Sequence, residues 1–182
     1  MTRPAATTGE IIAYFAGGGA AFDLQLGLLV NGADTGVVGL DNKTSMIGQS
    51  LPLGHANAGD ALTFVLKTTD GDIIKKAYSD PTMNVSYDID GSRGHQHVYS
   101  TYYTATSLVL DSIPVGTFVS WADQAFPNGD FSYNNLDVVL TNVSVTVPGS
   151  IAGAGLPGLI VACGVLLALA RRRRQKIAYV CR

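Results

Sequence analysis

Residues 24–30 have the sequence LQLGLLV, in which leucine or valine occupies every second position, and Asn31-Gly32 follows directly. Successive side chains of a β-strand point to opposite faces, so this spacing places four apolar side chains, from Leu24 to Val30, on one face. Asn-Gly is a typical turn dipeptide. The stretch therefore predicts a half-buried strand that ends in a tight turn.

Similar short patterns recur up to residue 147. Alternation occurs at Leu62, Phe64 and Leu66 and at Val143, Val145 and Val147, and further strand candidates lie at 11–15, 36–40, 73–78, 97–104 and 117–121. Turn dipeptides separate them at Asp70-Gly71, Asp90-Gly91 and Asn128-Gly129. Before residue 150, no segment has a sustained helical period with caps. These patterns predict that residues 1–147 form an all-β domain, a jelly-roll-like β-sandwich.

The last 45 residues differ from everything before them. Residues 138–170 contain no charged side chain, 151–170 are almost wholly apolar or small, and four consecutive arginines follow. Twenty helical residues span roughly 30 Å, the thickness of the hydrocarbon core of a bilayer. The sequence therefore predicts a linker over 148–150, a transmembrane helix over 151–170 and a basic cytoplasmic tail over 171–182.

The distribution of charge predicts an orientation. All 14 acidic residues precede the apolar segment, with six basic residues among them, which gives this part a charge of −8. The tail after Ala170 has six basic residues and no acidic one. Basic residues beside a membrane helix stay on the cytoplasmic side, so we expect the domain on the other side. Its acidic balance excludes a basic nucleic-acid-binding surface.

Export requires a leader, and residues 1–9 (MTRPAATTG) contain no apolar stretch of signal-peptide length. Two interpretations stay open. Either the true start lies upstream of Met1 with a hydrophobic leader, which we favour, or the protein is tail-anchored and its domain is cytoplasmic. The two cysteines, Cys163 and Cys181, lie outside the predicted domain, which therefore has no disulfide framework and no thiolate metal site.

The loop 123–137, DQAFPNGDFSYNNLD, is rich in oxygen-bearing side chains. Five such side chains fall within its fifteen residues: Asp123, Asp130, Asn134, Asn135 and Asp137. Calcium takes six to eight oxygen ligands, which these side chains supply together with backbone carbonyls and water. The pattern predicts a calcium site, and the alternative is a polar loop held by Asx turns without a metal. No other cofactor is indicated.

Other polar motifs are less specific. His95 and His97 share one face of a strand and together reach one zinc or copper ion, but such pairs are more often polar positions on a surface strand. Residues 88–92 (DIDGS) begin like an EF-hand loop without its later glutamate or flanking helices, so we interpret them as a tight turn. No nucleophile elbow, P-loop or dinucleotide fingerprint occurs, and we expect no enzyme.

A carbohydrate-related function stays open as an alternative. Paired aspartates catalyse glycoside hydrolysis when their carboxyl groups are suitably spaced. The aromatic residues Tyr99, Tyr102, Tyr103 and Trp121 offer a sugar-stacking platform, although such residues more often pack a core and its rim. Two facing carboxylates in an aromatic-lined cleft would favour the enzyme or lectin. Carboxylates gathered only in loops of a convex surface would favour a structural role.

The C-terminal thirty-five residues resemble a PEP-CTERM sorting signal, a bacterial tag made of a short proline motif, a membrane helix and an arginine cluster. Pro148 and the block Arg171, Arg172, Arg173 and Arg174 occupy the corresponding positions around a Gly/Ala/Leu-rich segment. Pro148-Gly149-Ser150 stands where the tag has Pro-Glu-Pro. The resemblance implies export, processing by an exosortase-type enzyme at the inner membrane and a link to exopolysaccharide.

A second resemblance covers residues 121–140. They are similar to the closing segment of uncharacterised Asp-rich bacterial β-sandwich domains that end in a D-x-D-[FY]-N-D turn before the last strand. Asp130, Tyr133 and Asn134 match that turn, whereas Ser132 and Asn135 stand where it has aspartate. The resemblance implies a surface domain, and the two replaced aspartates reduce the calcium ligands that it would carry over.

We therefore expect an exported, membrane-sorted structural or interaction protein of the bacterial envelope or extracellular matrix, stabilised by calcium if the 123–137 loop binds it. The expected partners are the lipid bilayer, an exosortase-type processing enzyme and exopolysaccharide. The expected location is the inner membrane with the domain outside the cytoplasm, or the cell surface or matrix after processing. The alternatives are a surface carbohydrate-binding protein or glycan-active enzyme, and a tail-anchored cytoplasmic protein.

Overall fold

The computed structural model describes residues 3–89, 94–104, 112–130 and 132–144, all within the first of two units, Met1–Val145 and Thr146–Arg182. These residues form ten β-strands and one short 3₁₀ turn. The strands are β1 (Arg3–Pro4), β2 (Gly9–Gly17), β3 (Asp23–Val30), β4 (Ala33–Gly39), β5 (Ser50–Ala56), β6 (Ala61–Asp70), β7 (Ile73–Tyr78), β8 (Val98–Tyr103), β9 (Gly116–Trp121) and β10 (Leu136–Leu140), and the 3₁₀ turn is Pro81–Met83.

The strands pair antiparallel in two five-stranded sheets. In the first sheet, β6 lies between β3 on one side and both β1 and β7 on the other, and β4 is the outer neighbour of β3. In the second sheet the order is β5-β2-β10-β9-β8. The prediction of an all-β domain is thus confirmed at the level of two antiparallel sheets.

The core lies between the two sheets. Alternate residues of the strands supply one buried apolar cluster, which includes Leu24, Leu26, Leu28, Leu62, Phe64 and Leu66 from the first sheet and Ile11, Phe15, Val119, Trp121, Leu136, Val138 and Leu140 from the second. Burying one such side chain contributes about 1.5–3 kcal/mol. The period-two pattern is thus the sequence signature of this packed interior.

The strands predicted before residue 122 are present with shifted ends, whereas of the strand predicted at Val143, Val145 and Val147 only Val143 is described, as an isolated bridge. The strand predicted at 73–78 is β7, and those predicted at 11–15 and 36–40 lie within or across β2 and β4. The sequence did not predict β5, because Pro52 and Gly54 interrupt its alternation. This strand lies at a sheet edge, where a proline without an N–H group costs no ladder hydrogen bond.

The turn between β3 and β4 follows the sequence signal closely. Asn31 and Gly32 have φ values of 51° and 83°, and Val30 pairs with Ala33 across a two-residue loop. Positive φ at both central residues defines a type I′ turn, whose twist matches that of paired strands. The Asn31 amide also donates to Asp60 over 2.9 Å, which joins this turn to the start of β6.

The predicted linker over 148–150, the transmembrane helix over 151–170 and the tail over 171–182 lie outside the described residues, as do Val145, Val147 and the Asp90-Gly91 turn. Val143 forms an isolated bridge with Ala5. Within the ranges that the structure describes, no helix has the length and apolar character needed to cross a membrane.

Candidate functional site

Polar side chains concentrate at one end of the two sheets, where four connections meet. These connections are residues 18–22 before β3, the β6–β7 turn, residues 79–97 before β8 and residues 122–135 before β10. The antiparallel pairing places the starts of β3, β7 and β10 at this end, and the 79–97 connection leaves β7 at its other end but returns here to begin β8 beside Trp121. A hydrogen bond of 3.1 Å from the Gly19 N–H to the Asn134 carbonyl joins the connection before β3 to the connection before β10.

Asp88 is the buried centre of this end. Its carboxylate accepts hydrogen bonds from His97 Nε2 at 2.8 Å, from the Phe126 N–H at 3.0 Å and from the His95 N–H at 2.7 Å. The side chains of Asp88 and His97 are 0% and 2% exposed. Burial acts most strongly on the carboxyl and raises its pKa, but these hydrogen bonds outweigh it, so the pKa of Asp88 lies below its usual value.

Asn84 fixes the backbone that carries Asp88. This fully buried amide accepts from the Tyr78 N–H at 2.7 Å and donates to the Tyr78 and His95 carbonyls, both at 2.9 Å. The Asn84 carbonyl in turn accepts from the N–H groups of Tyr87 and Asp88. The Asn84 side chain thus provides the hydrogen bonds that a neighbouring strand would otherwise give to these backbone groups. The 79–97 connection is therefore tied to β7.

The two candidate metal-binding histidines take separate roles. His97 lies edge-on to Tyr87 with ring centroids 4.9 Å apart, whereas His95 stacks on Phe126 at 3.8 Å. The interpretation of both as surface positions is wrong for His97, whose ring is buried and hydrogen-bonded to the Asp88 carboxylate. Asp88, interpreted as part of a simple tight turn, is likewise a buried hydrogen-bond acceptor.

A cavity of about 320 Å³, here called the Ile73 cavity, opens beside this network. Its lining comes from β6 and β7, from the segment after Asn84 and from the loop after β9, and consists of Phe22, Thr68, Asp70, Ile73, Lys75, Tyr87, Ile89, Asp123, Gln124, Ala125 and Asn128. The Tyr87 hydroxyl donates to the Asp123 carbonyl at 2.5 Å. Burial raises the pKa of Tyr87 to about 12, so this phenol stays neutral and acts as a donor.

A smaller cavity of about 190 Å³, here called the Asp130 cavity, shares Phe22, Asp123 and Gln124 with the Ile73 cavity. Three of the five predicted calcium ligands line it, namely Asp123, Asp130 and Asn135. The Asn135 amide donates to the Asp123 carboxylate. Burial first, and the nearby charge of Asp130 in addition, raise the pKa of Asp123. A bound cation would offset both effects.

The other two predicted ligands lie elsewhere. Asp137 accepts a hydrogen bond from Ser120, its cross-strand partner on the face of the second sheet that points away from the core. Burial raises the pKa of Asp137. Asn134 accepts from the Ser132 hydroxyl at 2.6 Å and does not line the Asp130 cavity. Among the described residues, no three His, Cys, Asp or Glu side chains converge as metal ligands.

The four aromatic residues considered for a sugar platform do not form one. Trp121 is fully buried in the main core, and Tyr103 belongs to a smaller buried cluster on the opposite face of the second sheet. Tyr99 and Tyr102 are exposed on the edge strand β8. The aromatic residues that line the Ile73 cavity are Phe22 and Tyr87, which the sequence did not single out.

No protein-family model matches this chain, and neither a curated protein nor a solved structure shows significant similarity to it. The function of the chain is therefore inferred from its sequence and from the geometry of the described residues.

Proposed function

We propose that this chain is a structural or interaction protein of the bacterial envelope or extracellular matrix, sorted to the inner membrane by its C-terminal region. The single observation that carries this proposal is the adjacency of two contrasting parts. A two-sheet acidic domain is described as far as Ser144, and an uncharged segment with an arginine block follows it in the sequence. This order is typical of a domain displayed beyond the membrane.

The C-terminal region is proposed to act as a PEP-CTERM-type signal. In this proposal residues 151–170 form a transmembrane helix, Arg171–Arg174 hold its end in the cytoplasm, and an exosortase-type enzyme recognises the region around Pro148. We also propose that the two sheets form a sandwich whose strands are connected as in a jelly roll. The absence of cysteine from the acidic part supports a domain that folds without disulfides in any compartment.

Calcium stabilisation is proposed at the Asp130 cavity. Three oxygen-bearing side chains line it, those of Asp123, Asp130 and Asn135, and backbone carbonyls and water would complete the six to eight ligands that calcium takes. We expect calcium to raise the thermal midpoint of the full chain and a chelator to lower it. Asp130→Asn should remove that shift, and Asp72→Asn, at an exposed turn position, should keep it. An unchanged midpoint in the wild-type chain contradicts calcium binding.

Sorting is tested by fractionating cells that express the tagged full chain and by measuring the mass of its C-terminus. The expected result is membrane association, followed by loss of the basic tail in cells that contain an exosortase-type enzyme. Replacing Arg171–Arg174 by glutamine should abolish correct orientation, because the positive charge that retains the tail is gone. Lys43→Gln with Lys76→Gln is the matched control within the domain. A wild-type chain found entirely in the soluble fraction at full mass contradicts the proposal.

A carbohydrate-binding or glycan-active surface protein is the second candidate. The observation that favours it is the Ile73 cavity, which two carboxylates, Asp70 and Asp123, and two aromatic rings line together. Between these two functions we favour binding over catalysis, since the side chains of Asp88 and His97 are buried and nearly inaccessible to solvent. Release of reducing ends from a polysaccharide, lost in Asp123→Asn, would identify a glycosidase instead.

A further inference from the structure

We propose that the Ile73 cavity is a binding site for a neutral saccharide. The inference deepens the interaction role above and rests on it for the biological setting, but the site itself consists only of described residues. The cavity volume of about 320 Å³ lies at the lower end of the range of about 300–1,000 Å³ for small-molecule sites. This size fits one or two sugar rings of a longer chain.

Aliphatic side chains form the rim of the cavity. Ile73, the first residue of β7, is 57% exposed, and Ile89, on the connection before β8, is 63% exposed; both line the same opening. The half-buried Phe22 and Ala125 extend this apolar surface inward. Large apolar side chains left exposed around a concave surface mark binding sites. The C–H faces of a sugar ring would cover them.

Polar groups of both hydrogen-bonding types reach the same space. Asp70 and Asp123 carry carboxylate acceptors, Gln124 and Asn128 carry amides that both donate and accept, and Lys75 carries an ammonium donor. Each sugar hydroxyl needs one donor and one acceptor neighbour, and neighbouring hydroxyls need several in a small space. A lining of carboxylates, amides and one ammonium group meets that need.

The deeper wall of the cavity is rigidly held. Tyr87 is bonded through its hydroxyl to the Asp123 carbonyl, and the Asp123 carboxylate is held by Asn135. The next residue after Tyr87, Asp88, accepts three hydrogen bonds from His97, Phe126 and His95. Binding therefore requires little ordering of this wall, which removes part of the entropic cost of association.

Other ligand classes fit the lining less well. Two carboxylates against one ammonium group, in a part of the chain with a charge of −8, repel an anion such as a nucleotide or an acidic sugar. A wholly apolar ligand would leave five polar groups desolvated without partners. A small cation would leave the aliphatic rim uncovered. A neutral ligand with both hydroxyl groups and apolar faces satisfies all parts of the lining.

The test is calorimetric titration of the full chain, held in lauryldimethylamine oxide so that no detergent sugar competes. The probes are cellotetraose, laminaritetraose, maltotetraose and mannotetraose, with tetragalacturonic acid as the charged comparison. We expect at least one neutral tetrasaccharide to bind with a Kd below about 1 mM. Ile73→Ala and Gln124→Ala should each weaken that binding about tenfold, or about 1.4 kcal/mol.

Ile74→Ala is the matched control, since Ile74 is the next residue of β7, is 58% exposed and does not line this cavity. Its affinity should equal that of the wild type. The proposal is overturned if no neutral tetrasaccharide binds, if tetragalacturonic acid binds better, or if Ile73→Ala and Ile74→Ala behave alike. Absence of saccharide binding would not change the expected fractionation result, and failed membrane sorting would not change saccharide binding. The two proposals are therefore tested separately.

Discussion

Asp88 shows how one residue decides the structure of a whole connection. A carboxylate without access to solvent is stable only when it is paired and hydrogen-bonded, and Asp88 has partners from two segments and one imidazole. Nothing in its local sequence distinguishes it from the exposed turn aspartates. Its burial is a property of the connections that meet around it.

Removing this carboxylate should be strongly destabilising. We expect Asp88→Ala to lower the free energy of unfolding by about 3 kcal/mol, because His97 and two backbone N–H groups lose their buried acceptor. Asp23→Ala removes a carboxylate from an exposed ion pair with Lys43 and should cost less than about 1 kcal/mol. Urea unfolding of both variants checks this, and equal losses would contradict the central role of Asp88.

The same residue predicts a dependence on pH. Since the pKa of Asp88 is lowered in the folded state, its stabilising contribution is present above the unfolded value of about 3.9 and is lost as the pH falls through the folded value. Unfolding of the wild type and of Asp88→Asn at a series of pH values should show a smaller acid-induced loss of stability in the variant. Parallel curves would contradict this.

Asp137 should affect the pH dependence of stability in the opposite direction to Asp88. Its raised pKa means that the folded state holds a proton more tightly than the unfolded state, so the protein loses stability as the pH rises from about 4. Asp137→Asn keeps an oxygen for the Ser120 hydroxyl and removes the charge. We expect the variant to be more stable than the wild type at neutral pH and equal to it in acid. A variant that is less stable at neutral pH would contradict the assignment.

At the scale of elements, short turns fix the pairing of neighbouring strands. The type I′ turn at Asn31-Gly32 sets the register of β3 with β4, and the two-residue loop after Asp70 sets that of β6 with β7. These local signals were readable in the sequence because the required φ values select particular residues. For the longer connections before β8 and β10, no single pair of turn residues determines the conformation.

The turn prediction is tested with two glycines. Gly32 and Gly19 both have open space where an alanine methyl group would lie, but only Gly32 has a positive φ, of 83°. We expect Gly32→Ala to lower the free energy of unfolding by about 1 kcal/mol and Gly19→Ala to change it little. Thermal or urea unfolding measures the difference. Equal effects of the two substitutions would contradict a backbone cause.

At the scale of the whole described domain, its two ends lie together. Ala5 bridges Val143, the Ala6 N–H donates to the Asn142 carbonyl, and the Ser144 N–H donates to Pro4. β1 also pairs with β6 of the first sheet, while the residues after Leu140 continue from the second. The N-terminal segment therefore contacts both sheets and stabilises their packing.

Truncation tests this arrangement. A fragment of residues 1–145 retains the contacts of Asn142, Val143 and Ser144 with the N-terminal segment. A fragment of residues 1–140 should unfold at a lower temperature than this one, since it lacks the buried Val143 and the contacts of Asn142, Val143 and Ser144 with the N-terminal segment. Calorimetry compares the two. Identical midpoints would show that these contacts contribute nothing to stability.

Local sequence patterns were sufficient to establish the strand-rich class, the buried faces and the tight turns, because alternation and positive φ are properties of a few neighbouring residues. It also singled out Asp123, Asp130 and Asn135, which the structure brings to one cavity, but it grouped them with Asn134 and Asp137, which lie elsewhere. Closeness along the chain does not say which face a side chain takes once a strand begins.

The remaining features depend on how distant parts of the chain come together. The buried pair of Asp88 and His97 and the Ile73 cavity combine residues from connections that are far apart in the sequence. No local pattern records which connections meet, because that depends on how two sheets pack over a shared core. Burial, pKa and hydrogen-bond partners follow from that packing, so the chemistry at this end of the domain appears only when the chain is folded.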